Sequence, residues 1–183
     1  MIRKIAISGK MVTGKTTLLN AITALNPQFV KVSLADPVKD VAQRYFKMPK
    51  EDKDRSLLQK IGQQFRSIRP MVWIDLLNAE AEVNADGGNS SICDDVRFPN
   101  EIESMKQNGW LTIRLEVNEE ERLRRVKNTY GDNWQNHWDN RFEESETSLD
   151  GYDFEWDYVF TDMLYENIEV FAKELCELIN GDS

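Results

Sequence analysis

Gly9-Lys10-Met11-Val12-Thr13-Gly14-Lys15-Thr16 has the spacing G-x-x-x-x-G-K-[ST], with apolar Ile5, Ala6 and Ile7 before it and Thr17-Leu18-Leu19-Asn20-Ala21-Ile22 after it. Glycines let such a backbone curl so that successive N–H groups point inward at phosphate oxygens, and the following helix aims its positive end at the same place. Lys15 then reaches the β- and γ-phosphates, and the Thr16 hydroxyl is placed to ligate a Mg²⁺ that bridges them. A buried strand over residues 2–8 and a helix over 15–25, with Leu18, Leu19, Ile22 and Leu25 at helical spacing, are the flanks this loop needs. The stretch predicts a nucleoside triphosphate site built from Gly9, Lys10, Val12, Thr13, Gly14, Lys15, Thr16 and Thr17.

Downstream, Phe29-Val30-Lys31-Val32-Ser33 reads as a second strand, and Asp36-Pro37 as an acidic cap and first-turn proline opening a helix to about Phe46. Helices follow over 52–69 and 71–84, broken at Pro70, the first with Leu57, Leu58, Ile61, Phe65 and Ile68 on one face. Ser91 to Asp95 is a short apolar strand ending in carboxylates, and Pro99 starts a helix closed by Gly109. Residues 110–117 form a fourth strand, and Asn118 with Glu121 caps a helix to about Asn128. Tyr158-Val159-Phe160 is a fifth strand, before a C-terminal amphipathic helix marked by Leu164, Ile168, Phe171, Leu175 and Ile179, with Gly181 just past it. Alternating strands and helices imply a parallel sheet covered on both faces. The polar connection 129–156, with Trp134, His137, Trp138 and Trp156, reads as a partly ordered lid.

At 183 residues and 40% hydrophobic content, a single domain over 1–183 is expected. A net charge of −9 argues against a nucleic-acid surface, so anionic ligands must be held by local basic clusters. Cys93 and Cys176 sit in apolar patterns and read as buried thiols rather than a disulfide framework. No apolar run approaches the ~18 residues that span a membrane, and Ile5 to Ile7 is too brief for a signal-peptide core, so a cytosolic protein without a membrane partner is expected. Oligomeric state is left open, a homodimer included.

A GTPase would carry N-K-x-D and D-x-x-G, yet no Asp here has Gly three residues later and no Asn precedes Lys. A motor or AAA-type ATPase is expected to need a longer chain. Phosphoryl transfer needs positioning and charge neutralisation, which points to a small-molecule kinase with a metal-supporting acid and converging arginines. Asp94 and Asp95, ending the strand beside the phosphate loop, are the candidate metal acids with Thr16. Arg97 offers a planar fork at the carboxyl edge of the sheet. Arg122 and Arg125 share a helix face with Arg124 nearby, and Arg141 lies in the lid. Lone His137 reads as a packing residue, and the carboxylate run Glu143 to Asp157 as a solvated face.

The phosphate loop, Leu34-Ala35-Asp36-Pro37-Val38-Lys39, Leu57-Leu58-Gln59-Lys60-Ile61-Gly62, Asp95-Val96-Arg97-Phe98-Pro99-Asn100-Glu101 and Ser145-Glu146-Thr147-Ser148-Leu149-Asp150 together resemble the deoxynucleoside monophosphate kinases of bacteriophage type, within the nucleoside monophosphate kinase superfamily. The resemblance spans nearly the whole chain. It implies a five-stranded parallel sheet of order 2-3-1-4-5, a monophosphate-binding region over about 36–84 and a lid over about 118–150. It also implies ATP as donor, Mg²⁺ as cofactor and a deoxynucleoside 5′-monophosphate as acceptor. By that resemblance Lys15, Arg97, Arg122 and Arg125 are the expected catalytic residues, and Asp36, Lys39, Gln59, Arg66, Arg97 and Glu101 the expected acceptor contacts. A kinase resembling dephospho-coenzyme A kinase and a nucleotide-binding regulatory module stay open as alternatives, and no residue identifies the base.

Overall fold

The computed structural model describes residues 3–51, 54–161 and 165–181. In chain order the elements are β1 (Lys4–Gly9), α1 (Lys15–Leu25), β2 (Phe29–Lys31), α2 (Ala35–Phe46), α3 (Arg55–Ile68), α4 (Val72–Asp86), β3 (Ser90–Val96), α5 (Pro99–Gln107), β4 (Leu111–Glu116), α6 (Glu119–Tyr130), α7 (Trp134–Asp139), α8 (Glu144–Thr147), β5 (Tyr158–Thr161) and α9 (Tyr165–Gly181). The strands pair in parallel in the order β2-β3-β1-β4-β5, as the resemblance implies. β1 lies at the centre, with Ile5 opposite Ile92 on one side and Leu111 on the other.

Strand alternation divides the core into two layers. Ile5, Ile7, Ile92, Ile113 and Leu115 pack with Leu18, Leu19 and Ile22 of α1 and Ile168, Ala172 and Leu175 of α9. Ala6, Cys93 and Val96 face the other way, onto Val38 and Ala42 of α2, Ile61 of α3, Trp73, Ile74 and Leu77 of α4, and Ile102 and Met105 of α5. Each large aliphatic side chain taken fully from water here contributes about 1.5–3 kcal/mol before ordering costs. Cys93 and Cys176 are buried and free, as expected.

Some sequence expectations are corrected. On α3 the predicted apolar face is only partly covered: Ile61 is buried, whereas Ile68 is 84% exposed and Phe65 stacks on Trp73 at 5.1 Å. α2 begins at Ala35, and its cap comes from Asp95 rather than Asp36. Helical turns run through much of the first part of the 129–156 connection, with His137 stacked on Tyr130 at 3.6 Å and Trp138 buried. Leu164 lies outside the described residues, and no described helix is long and apolar enough to cross a membrane.

Candidate active site

β1 delivers the chain into the Gly9–Thr16 loop at the carboxyl edge of the sheet. A Cβ on Gly9 would stand 2.6 Å from the Leu115 carbonyl oxygen and 2.7 Å from Thr13 Oγ1, so the close passage of loop over β4 requires glycine. Gly14, at φ 105°, turns the chain into α1 with no side-chain cap, which leaves the first helical N–H groups to a ligand. Lys15 Nζ folds back to donate to the carbonyls of Gly9 (2.8 Å) and Lys10 (2.7 Å). Burial, then the Arg97 guanidinium, lowers its pKa to about 7. The carboxylates of Glu146 and Asp94 oppose this shift, and burial with the Arg97 charge outweighs them.

The two candidate metal acids separate in space. In β3 the pairing with β1 shifts register between Ala6 and Ser8, so Asp94 and Asp95 together stand across from Ile7 as a bulge. Asp94 points to the α1 side, where its Oδ2 accepts the Thr16 hydroxyl at 2.6 Å and its Oδ1 pairs with Lys31 Nζ at 2.8 Å. Burial opposes the charge, but the bonds from Lys31 and Thr16 hold the carboxyl below its usual range. Asp95 points to the α2 side and accepts from the Ser33 hydroxyl (2.7 Å) and the N–H groups of Leu34 (3.1 Å) and Ala35 (3.0 Å). Its lone pairs are used at the start of α2, whereas Thr16 and Asp94 stand together beside the head of α1 as a fit for a divalent cation.

Beside the loop, a cavity of about 830 Å³ is walled by Leu34, Val38, Leu58, Gln59, Gln63, Arg66, Arg97, Phe98 and Glu143, among others. Arg66 lies over the Phe98 ring at 4.7 Å and pairs with Glu101 at 3.1 Å. Glu101 is 2% exposed and its Oε2 accepts the N–H groups of Arg97 (3.0 Å) and Phe98 (3.1 Å). It therefore shapes the turn carrying Arg97 and holds Arg66, instead of standing free for an acceptor. Asp36 and Lys39 pair with each other at 2.6 Å, while α2 contributes Ala35 and Val38 to the wall. Gln59 lies on the wall and reaches Glu143 at 3.4 Å.

The arginines of α6 also part company. Arg125, 2% exposed, pairs with Glu121 at 2.7 Å and donates to the carbonyls of Val12 (3.3 Å) and Thr13 (3.4 Å). It buttresses the phosphate loop from behind. Arg122 is 5% exposed, reaches the Met11 carbonyl at 3.4 Å and lies over the Trp138 ring at 5.5 Å, and its Nη2 has no partner among the described residues. It lines a second cavity, of about 460 Å³, with Lys10, Thr13, Arg114, Asn118 and Thr161. Arg141 stacks on Phe142 and Trp138 in the 129–156 connection, and Arg124 pairs with Glu121 at the surface.

Three residues here escaped the sequence reading. Arg114 rises from the middle of β4, donates to Ser8 Oγ at 3.2 Å and lines the second cavity; a cation inside an apolar strand was its signal. Lys31 faces Asp94. Glu146, set within the run read as solvated, has a side chain only 7% exposed: Oε1 pairs with Arg97, and Oε2 accepts the Met11 N–H at 2.7 Å. Asp150 pairs with Lys10 at 2.6 Å and Asp157 with Lys106 at 2.5 Å, so that run is tied to the site rather than hydrated throughout.

Known proteins agree with this architecture. The chain aligns in structure with a sugar kinase from Janibacter sp. HTCC2649 (TM-score 0.59, 15% identity, 97% of this chain and 95% of that one). It aligns likewise with shikimate kinase from Bacteroides thetaiotaomicron (0.54, 20%, 97% and 98%) and with shikimate kinase from Acinetobacter baumannii in complex with shikimate (0.56, 16%, 100% and 96%). At such identities the likeness is one of fold, a kinase-like three-layer α/β/α sheet around a phosphate loop. No curated protein matches the chain in sequence. A family model described as "AAA domain" matches residues 5–147. With most of its length matched, the chain belongs to the AAA domain family.

Proposed function

We propose that this chain transfers the γ-phosphoryl group of ATP to a nucleoside 5′-monophosphate, the deoxynucleotide being the acceptor that the sequence resemblance implies. One observation supports this above the others. The carboxylate of Glu146 touches the Met11 N–H of the phosphate loop with one oxygen and Arg97, on the wall of the larger cavity, with the other. A donor-side amide and an acceptor-side guanidinium thus stand one small anion apart, the separation a phosphoryl group must bridge in transfer.

On this reading the loop amides and the N-terminus of α1 cradle the donor phosphates, and Lys15 turns from its carbonyl partners toward the β,γ-bridge. Thr16 and Asp94 are the residues that would hold Mg²⁺, which when bound would supply neutralisation of the phosphate charge. Arg97, with its planar fork, holds the acceptor phosphate in line, and Arg66 supports it from the Phe98 side of the cavity. Arg122, packed on Trp138 beside the second cavity, has a nitrogen without a partner among the described residues and stabilises the transferred charge. Closure of α6 and α7 excludes water. The test is ADP release from MgATP over a panel of ribo- and deoxynucleoside monophosphates, with shikimate, dephospho-coenzyme A and simple sugars as competing acceptors. A many-fold stimulation by a nucleoside monophosphate is expected; stimulation only by another acceptor, or by none, overturns the reading.

A further inference from the structure

The proposed reaction requires an empty phosphate cradle, yet in the free chain that cradle already holds an anion. Glu146 belongs to α8, a single turn of helix, and its buried carboxylate is the partner of a loop N–H and of Arg97. Lys15, Arg114 and Arg122 all feel its charge, so four cations converge on this one carboxylate. The surrounding strap is fastened at three further points: Ser148 Oγ donates to the Arg97 carbonyl at 2.5 Å, Arg97 Nη1 to the Ser145 carbonyl at 3.4 Å, and Lys10 pairs with Asp150.

We infer that Glu146 is an internal phosphate mimic, an occupant of the donor phosphate cradle that a polyphosphate must displace, and that its displacement hands Arg97 to the acceptor. The Met11 N–H carries one hydrogen, so a phosphate oxygen and Oε2 of Glu146 compete for it. Two anions in one cradle of this size also repel strongly. Binding therefore occurs only from the fraction of molecules in which the strap has swung out, and the apparent dissociation constant rises by the reciprocal of that fraction. Leaving Met11 also separates Glu146 from Arg97, the group that on the proposed function binds the acceptor. Donor binding thus strengthens acceptor binding, and by linkage the acceptor strengthens donor binding by the same factor. Free enzyme keeps Arg97 neutralised and its cradle closed, which lowers the fraction of enzyme that holds ATP when no acceptor is bound.

The part of this inference concerning Arg97 and the acceptor rests on the proposed function; the competition at the cradle does not. The experiment titrates inorganic tripolyphosphate, and separately MgATP, into wild type, Glu146→Gln, Glu146→Asp and the surface control Asp153→Asn by calorimetry, with no acceptor present. Glu146→Gln keeps shape and loses charge, and Glu146→Asp keeps charge but falls a methylene short of Met11. Both are expected to bind the polyphosphates more tightly, Glu146→Gln by roughly tenfold, while Asp153→Asn stays within about twofold of wild type. Melting with and without MgATP accompanies each titration, and the ligand-induced rise in Tm should be larger for the two Glu146 variants. Unchanged or weaker binding in Glu146→Gln, or equal gains in Asp153→Asn, overturns the inference. Tighter binding together with no response to any nucleoside monophosphate leaves the internal occupant standing and removes the nucleotide kinase reading alone.

Discussion

Binding of a triphosphate should pull a proton onto Lys15. Its Nζ is buried against the Gly9 and Lys10 carbonyls, and burial and Arg97 lower its pKa to about 7. At pH 8 a group with that pKa is about nine-tenths neutral, and at pH 7 about half. Phosphate oxygens arriving beside the amine favour the charged form and raise the pKa again. Uptake of about 0.9 proton per MgATP bound is therefore expected at pH 8 and about 0.5 at pH 7. The assay is titration calorimetry in buffers of different ionisation enthalpy, the slope of apparent enthalpy against ionisation enthalpy giving the proton count. Lys15→Met should abolish the uptake. The same shift has a stability consequence in the free protein. The unfolded chain holds the Lys15 proton to pH 10.5 and the folded chain releases it near 7, so between those values stability rises with pH, a rise that Lys15→Met removes. Uptake under about 0.2 proton at pH 8 in wild type, or the same uptake in Lys15→Met, would refute this reasoning.

Three substitutions test other parts of the site. Asp94→Asn should cut turnover by about a hundredfold or more and raise the free Mg²⁺ needed for half-maximal rate, with nucleotide affinity changed by less than about threefold; an unaltered Mg²⁺ titration would make Asp94 a packing residue. Arg97→Lys keeps the charge but loses the two-pronged contact, so acceptor KM should rise by about tenfold or more while ATP KM stays near wild type; equal damage to both would place Arg97 on the donor side instead. Gly9→Ala drives a methyl to 2.6 Å from the Leu115 oxygen, which should cost about 1–3 kcal/mol in a thermal melt and weaken MgATP binding, and an unchanged melt would show that β4 yields.

The sheet was legible because its signals are local. The loop spacing, the apolar run before it and the Asn118–Glu121 cap each depend on neighbours in sequence, and the cap is present, with Asn118 accepting the Glu121 N–H at 2.9 Å. What escaped depends on partners far along the chain. Arg122 and Arg125 lie three residues apart on one turn, and only the position of the loop against α6 decides that one faces a cavity and the other supports the loop carbonyls. Asp94 and Asp95 sit at a bulge, a register shift that composition does not encode, so sequence could not assign the metal between them. Glu146 stands in a run with seven carboxylates and no Lys or Arg, which reads as hydrated until Arg97, 49 residues upstream, is brought against it. The work of Glu101 also depends on partners the sequence does not place: its carboxylate closes the turn of Arg97 and pairs with Arg66, 35 residues away.

Direct identification of the product tests the proposed activity most plainly. Purified chain is incubated with Mg²⁺, ATP labelled with ¹⁸O in the γ-phosphoryl group, and each of the common ribo- and deoxynucleoside 5′-monophosphates, and the nucleotides are resolved by mass spectrometry. The account predicts a deoxynucleoside diphosphate carrying the labelled phosphoryl group in at least one reaction, formed in step with ADP and absent when Lys15→Met replaces wild type. Label found only in inorganic phosphate, with every monophosphate recovered unchanged, would contradict it.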